Sequence, residues 1–144
     1  MLTGIPSILS PELLKVLMEM GHGDELCLGD GNFPAAAYAQ RLVRADGHGV
    51  PALLDAILRF FPLDTFVTSP VALMQVVGEE TARPEIWDTY EEIVARRSPE
   101  SSGIEHMERF SFYDRAKAAY AIVATGERAI YANVILKKGV VIEK

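Results

Sequence analysis

The amino-acid sequence predicts an α/β fold: a single layered domain with a mixed β-sheet flanked by helices. Short apolar runs alternate with segments of helical periodicity along the chain. Proline, serine and glycine fall where helices should start and stop. With 144 residues, 49% of them apolar and 24% charged, the chain is long enough to bury a core without disulfides or metal clips. No linker, repeat or low-complexity segment interrupts it, so residues 1–144 read as one domain.

The first helix spans Pro11–Met20. Ser10 is its N-cap, Pro11 suits the first helical position, Gly21 supplies a left-handed stop, and Leu13, Leu14, Leu17 and Met18 form the apolar stripe. Glu25–Leu28 and Leu42–Arg44 read as strands with a short helix, Ala35–Gln40, between them. Pro51–Phe61 repeats Leu53, Leu54, Ile57, Leu58 and Phe61 at helical spacing, and Pro62 ends it. Val71–Val77 reads as a buried strand and Pro84–Arg97 as a charged, exposed helix. Ser98–Gly103 is a polar turn cluster expected to be the mobile loop. Ser111 and Asp114 have capping-box spacing and open a helix to Ala119. Tyr120–Thr125 and Ile130–Leu136 close the chain as strands. The few residues between them predict an antiparallel hairpin.

The net charge is −6 and no Lys/Arg-rich run occurs, so the positive footprint of a nucleic-acid binder is missing. Cys27 is the sole cysteine, which rules out an internal disulfide and fits a reducing cytosol. The sequence shows no basic-then-apolar leader and no apolar stretch of membrane-spanning length. A soluble, cytoplasmic protein is expected. A mean hydropathy of +0.14 is high for a small soluble monomer and points to apolar surface buried between copies, hence a homo-oligomer.

Two polar, glycine-rich turns, Gly21–Glu25 and Gly29–Pro34, bracket one short apolar strand and lie at its opposite ends if it is straight. His22, between two glycines, lies outside the helix stripe. Its imidazole suits proton transfer near neutral pH, and it equally suits a helix C-cap favoured by the dipole. Asp30 has the chemistry to hold a hydroxyl or orient an imidazole, and also that of an ordinary turn or N-cap residue. Cys27 reads as a buried structural thiol, His48 as part of a surface turn, and His106 as exposed. His22, Asp24, Asp30 and His48 are the groups a metal would have to recruit, but no recognised metal-ligand spacing joins them, and no metal is expected. Neither a phosphate-cradling loop nor a nucleophile elbow occurs. Tyr131-Ala132-Asn133 interrupts an apolar strand with a phenol and an amide, which suit sugar hydroxyls or simply one solvated strand face.

Taken together, Leu9–Leu14, Met20–Glu25, Asn32–Pro34, Arg44–Gly47, RFSFYDRA at 109–116, Thr125–Glu127 and YANVILKKG at 131–139 resemble the L-fucose mutarotase and D-ribose pyranase family. The resemblance covers nearly the whole chain and fades over residues 78–104. It implies interconversion of the anomers of a free sugar, L-fucose foremost, by acid–base-assisted ring opening and closure. Nothing is oxidised, so no cofactor is implied. It assigns His22 as proton donor and Asp30, Arg109, Tyr131, Ala132 and Asn133 as substrate-binding residues, with Ala132 offering only backbone groups. Arg109 stands where the fucose branch has Arg and the ribose branch His. Ala132 stands where the fucose branch commonly has Gly, and Tyr-Ala-Asn is typical of the ribose branch. The family's members form rings, typically decamers, with sites near subunit contacts.

Overall fold

The computed structural model describes residues 1–78 and 82–144. In chain order the elements are α1 (Pro11–Glu19), β1 (Glu25–Gly29), α2 (Ala35–Tyr38), β2 (Leu42–Ala45), α3 (Val50–Leu58), β3 (Val71–Met74), α4 (Ile86–Arg97), β4 (Ile104–Met107), α5 (Arg109–Ala118), β5 (Ala121–Thr125) and β6 (Val134–Lys137). The six strands form one sheet in the order β2-β5-β1-β6-β3-β4. β6 runs antiparallel to both neighbours, β1 and β3, while the other pairs are parallel.

Alternation along each central strand sends side chains to two separate cores. Leu26, Leu28, Val71, Leu73, Val123, Val134 and Leu136 pack on the face covered by α1, α3 and α4. Cys27, Ala72, Met74, Ile122 and Ile135 pack on the face covered by α2 and α5. The result is a three-layer sandwich of helices, mixed sheet and helices. Burial on both faces explains why these strands read as continuous apolar runs. Cys27 is fully buried, and that burial pushes its thiol pKa upward.

Several elements depart from expectation. β5 and β6 are not a hairpin, because β1 lies between them. β6 starts at Val134 rather than Ile130, so residues 126–133 have the length to step across the end of β1. Thr125 Oγ1 donates to the Gly29 carbonyl at 2.7 Å, and Gly31 N–H donates to the Glu127 carbonyl at 2.8 Å. The Glu127 carboxylate also accepts from Val50 N–H at 3.0 Å, capping α3 from outside its own segment.

In α1 the buried residues are Leu13 and Val16, with Met20 buried just past its end, and Met18 is 85% exposed. Positions 13 and 16 share one helical face, whereas 18 lies well off it. β4 was not expected; it is an edge strand whose central residues Glu105 and His106 are exposed, which hides it from an apolar pattern. α4 turns Trp87, Tyr90, Ile93 and Val94 into the core, so it is no solvated helix. α5 begins at Arg109 rather than Ser111, because the Glu108 carboxylate accepts from Phe110 and Ser111 N–H groups, each at 3.0 Å. The 98–103 segment is tied down, with Ser102 Oγ donating to the Val67 and Thr68 carbonyls.

Gly126 sits against the Asp46 backbone with no room for a side chain; a Cβ there would overlap the Asp46 carbonyl oxygen. Gly126→Ala is expected to destabilise the fold by roughly 1–3 kcal/mol through this overpacking, read as a lower urea midpoint. An unchanged midpoint would mean that the two segments separate freely.

Candidate active site

All parallel strands end at the same edge of the sheet, where β6 begins. That edge collects Asp30 after β1, Met74 at the end of β3, Arg109 after β4, and the 126–133 segment after β5. Open α/β sheets bind ligands outside the carboxyl ends of their strands. A pocket of about 290 Å³ lies there, lined by Asp30, Arg109, Tyr131 and Asn133 together with Asn32, Phe33, Pro34, Met74, Val77, Tyr113 and Ile130. It is at the small end of the ~300–1,000 Å³ range of ligand pockets, a size for a monosaccharide rather than a dinucleotide.

Asp30 is only 6% exposed. Its N–H donates to Asn133 Oδ1 at 2.8 Å, and its Oδ1 accepts from Asn32 N–H at 2.9 Å. Burial pushes its carboxyl above the ordinary aspartate value, while the N–H groups of Asn32, Ala132 and Phe33 pull it back. Asp30 therefore does not cap α2, whose N-cap is Pro34.

Arg109 opens α5, and its Nε is buried with no hydrogen-bond partner among the described residues. Its guanidinium lies over the Phe110 ring, 4.7 Å from the centroid. A buried unpartnered donor is costly, and a ligand oxygen in the pocket would satisfy it. Phe33 and Tyr113, with ring centroids 5.9 Å apart, give the pocket an aromatic side that suits sugar C–H groups.

Tyr131 is the only non-glycine residue with positive φ among the described residues, at +55°. Such backbone costs on the order of 1–3 kcal/mol and persists only where its surroundings hold it. The Tyr131 phenol oxygen accepts from Val77 N–H at 3.2 Å, which leaves its own proton to donate. Asn133 is buried with its amide on Asp30. The Ala132 side chain is fully buried in the core and does not line the pocket; its N–H acts on Asp30.

His22 is not brought together with these residues. It precedes β1 and so lies at the opposite edge of the sheet, with the strand's own ends about 13 Å apart at ~3.3 Å per residue. Asp24 N–H donates to the Gly21 carbonyl at 3.1 Å, closing a four-residue turn with His22 at its second position. Gly23 takes the positive φ of +87° that the third position requires. The left-handed glycine is thus Gly23 and not Gly21. The carboxylate beside His22 is Asp64 rather than Asp30: His22 Nε2 lies 3.3 Å from Asp64 Oδ1. The Asp64 side chain is 3% exposed and the His22 side chain 46%. The Phe66 N–H, joined by the His22 hydrogen bond, holds the Asp64 carboxyl below the usual range although burial opposes it. A buried, ionised carboxylate thus orients a half-exposed imidazole, an arrangement suited to proton transfer.

Asp64 escapes notice in the sequence because 42 residues separate it from its partner. His48 lies in an exposed turn and His106 is exposed on β4, with its ring 4.7 Å from Trp87. Among the described residues no three His, Cys, Asp or Glu side chains are grouped to hold a metal ion. No helix among them is long and apolar enough to cross a membrane.

A three-layer α/β fold with a small polar pocket of carboxylate, guanidinium, phenol and amide groups at the carboxyl edge defines a binder of small polyhydroxylated molecules. The chain belongs to the RbsD / FucU transport protein family, whose model matches residues 3–141. It is 50% identical to an L-fucose mutarotase of Actinobacillus pleuropneumoniae serotype 5b (strain L20), with 97% of each chain covered. It is likewise 50% identical to a human fucose mutarotase, over 96% of this chain and 94% of the relative. Its fold superimposes on the fucose mutarotase of Streptococcus pneumoniae, crystallised in complex with L-fucose, with a TM-score of 0.94 and 50% identity, over 98% of this chain and 100% of that one.

Proposed function

We propose that the chain, acting as a single mutarotase unit over residues 1–144, interconverts the α and β anomers of L-fucose. The observation that carries this is the pocket itself. Among its polar side chains, Asp30, Arg109, Tyr131 and Asn133 converge at one sheet edge in a chain half identical to fucose mutarotases throughout its length. Anomers exchange when the ring oxygen gains a proton and the anomeric hydroxyl loses one. The ring opens to the aldehyde, C1 rotates, and the hydroxyl recloses on the other face. Protons gained and lost balance, and no electrons move.

Within one chain Asp30 accepts from a sugar hydroxyl through the carboxylate capacity not used by Asn32. Arg109 Nε and the Tyr131 hydroxyl donate to sugar oxygens, Asn133 and the Ala132 N–H fix Asp30, and Phe33 and Tyr113 cover the apolar side. His22 protonates the ring oxygen. Because His22 and the pocket occupy opposite edges of the sheet, the histidine reaches the sugar from a second copy of the chain. Phe66, 75% exposed beside His22, and Phe110 and Ile130, exposed near the pocket, are the apolar surfaces such a contact would bury. Head-to-tail contacts close into a ring when the rotation between copies closes, and a decameric ring in the cytoplasm is the assembly this reading proposes.

The ribose reading rests on Ala132, whose methyl group is buried in the core and does not line the pocket; Arg109 does line it. Saturation-transfer NMR on both sugars tests the assignment. Faster exchange of L-fucose anomers than of D-ribose ring forms is expected, and the reverse order would make the protein a pyranase. Saturable L-fucose binding with exchange at the buffer rate would instead make it a non-catalytic sugar-binding module.

A further inference from the structure

We propose that Trp87 and Tyr90 of α4 are positioning residues for the sugar site, holding Tyr131 in the left-handed backbone conformation that aims its phenol at the pocket. The inference rests on the L-fucose reading for its substrate but not for its geometry. Residues 87 and 90 are one helical turn apart and share a face. The Trp87 indole Nε1–H donates to the Tyr131 carbonyl at 2.8 Å, and the Tyr90 hydroxyl donates to the Ala132 carbonyl at 2.7 Å. Two neighbouring side chains on one helix thus grip two consecutive carbonyls.

Both donors are enclosed. Tyr90 is fully buried and Trp87 is nearly so. The carbonyls they satisfy belong to irregular backbone just before β6, outside the strand pairing among the described residues. An aromatic residue has no intrinsic preference for φ of +55°, so the conformation must be imposed from outside. On the pocket side, Val77 N–H fixes the phenol oxygen. Backbone and phenol of Tyr131 are therefore held independently, the first by α4 and the second by the segment after β3. Asn133, two residues on, carries the Asp30 N–H on its amide oxygen, a hold on Asp30 separate from the two α4 hydrogen bonds.

The test uses Trp87→Phe and Tyr90→Phe, which keep the aromatic ring and remove the donor. In the ligand-free protein, the NMR coupling between the Tyr131 amide and Hα protons is expected to leave its left-handed value in each variant. The L-fucose dissociation constant is expected to rise about 5- to 20-fold, as for one lost hydrogen bond. On a Tyr131→Phe background the same Trp87→Phe change should raise it no more than about two-fold, because positioning a missing hydroxyl gains nothing. A purely structural role would give the same fold-change on both backgrounds, and that additivity would overturn the proposal. So would an unchanged Tyr131 coupling. If Trp87→Phe does not fold, Tyr90→Phe decides on the same readouts. A wild type that binds no L-fucose removes the substrate reading and leaves the coupling measurement to decide the positioning role.

Discussion

His22→Ala is expected to slow L-fucose anomer exchange by about 10²–10⁴-fold, the usual contribution of one positioned acid–base group, while leaving the fold and the Asp30 pocket intact. The His22 side chain is half exposed at the apex of a surface turn, so removing it opens no core cavity. Its partner Asp64 stays buried with the Phe66 N–H still donating to it at 3.0 Å. Saturation-transfer NMR reads the exchange directly, and an unchanged rate would take His22 out of the reaction. A mixing experiment tests where its sugar sits. Combined 1:1 with an Asp30→Asn variant under conditions that let subunits exchange, and assayed at L-fucose well below that variant's dissociation constant, two impaired proteins should regain activity. About a quarter of the sites in a head-to-tail assembly would pair an intact histidine from one copy with an intact pocket from its neighbour. No recovery after verified exchange would confine His22 to some other role.

Asp30→Asn is expected to lose the sugar and gain stability. The carboxyl is pushed up by burial, so the folded chain holds this proton more tightly than the unfolded chain does. A group of that kind favours folding while protonated, and the benefit fades as pH rises through its folded value. Once ionised, the buried Asp30 is a burden that asparagine does not carry, and an amide oxygen can still accept from Asn32 N–H. The variant should melt above wild type at pH 7, with the difference shrinking as pH falls through the raised folded value of Asp30 and gone below about pH 4, where aspartate is protonated in both states. L-fucose affinity should fall about 10- to 100-fold, since a hydrogen bond to a charged group is worth roughly 1.5–3 kcal/mol. Calorimetry at two pH values and a binding titration check both halves. Equal melting points together with unchanged affinity would show Asp30 to be an ordinary turn residue.

Much of the layering was legible from residue pattern. Helix starts at Ser10-Pro11 and before Pro51 announce themselves because capping and proline are local effects. The central strands announce themselves because burial on both faces leaves unbroken apolar runs. What depends on neighbours in space was not legible. Counting residues between β5 and β6 suggests a hairpin, and nothing local reveals that β1 is inserted there. β4 alternates too weakly to be seen, since an edge strand needs only part of its length apolar. In the site, Asp30, Tyr131 and Asn133 stand out by their chemistry, with ordinary turn and strand roles equally open, and the family resemblance adds Arg109; the fold puts all four around one pocket. Asp64 was invisible as the partner of His22. Trp87 and Tyr90 fell where the resemblance fades, although two aromatics three apart on a helix are a signal of an inward face.

The placement of His22 and the pocket on opposite edges of the sheet has a consequence for inheritance. On the two-copy reading, each chain lends its histidine to one neighbour and hosts the sugar beside the histidine of another. A copy defective in both would silence the site it hosts and the site it serves. In a cell carrying one good and one doubly defective gene, freely mixing subunits would lose more than half of the activity. A defect confined to His22 or to Asp30 alone would act as a simple dose effect.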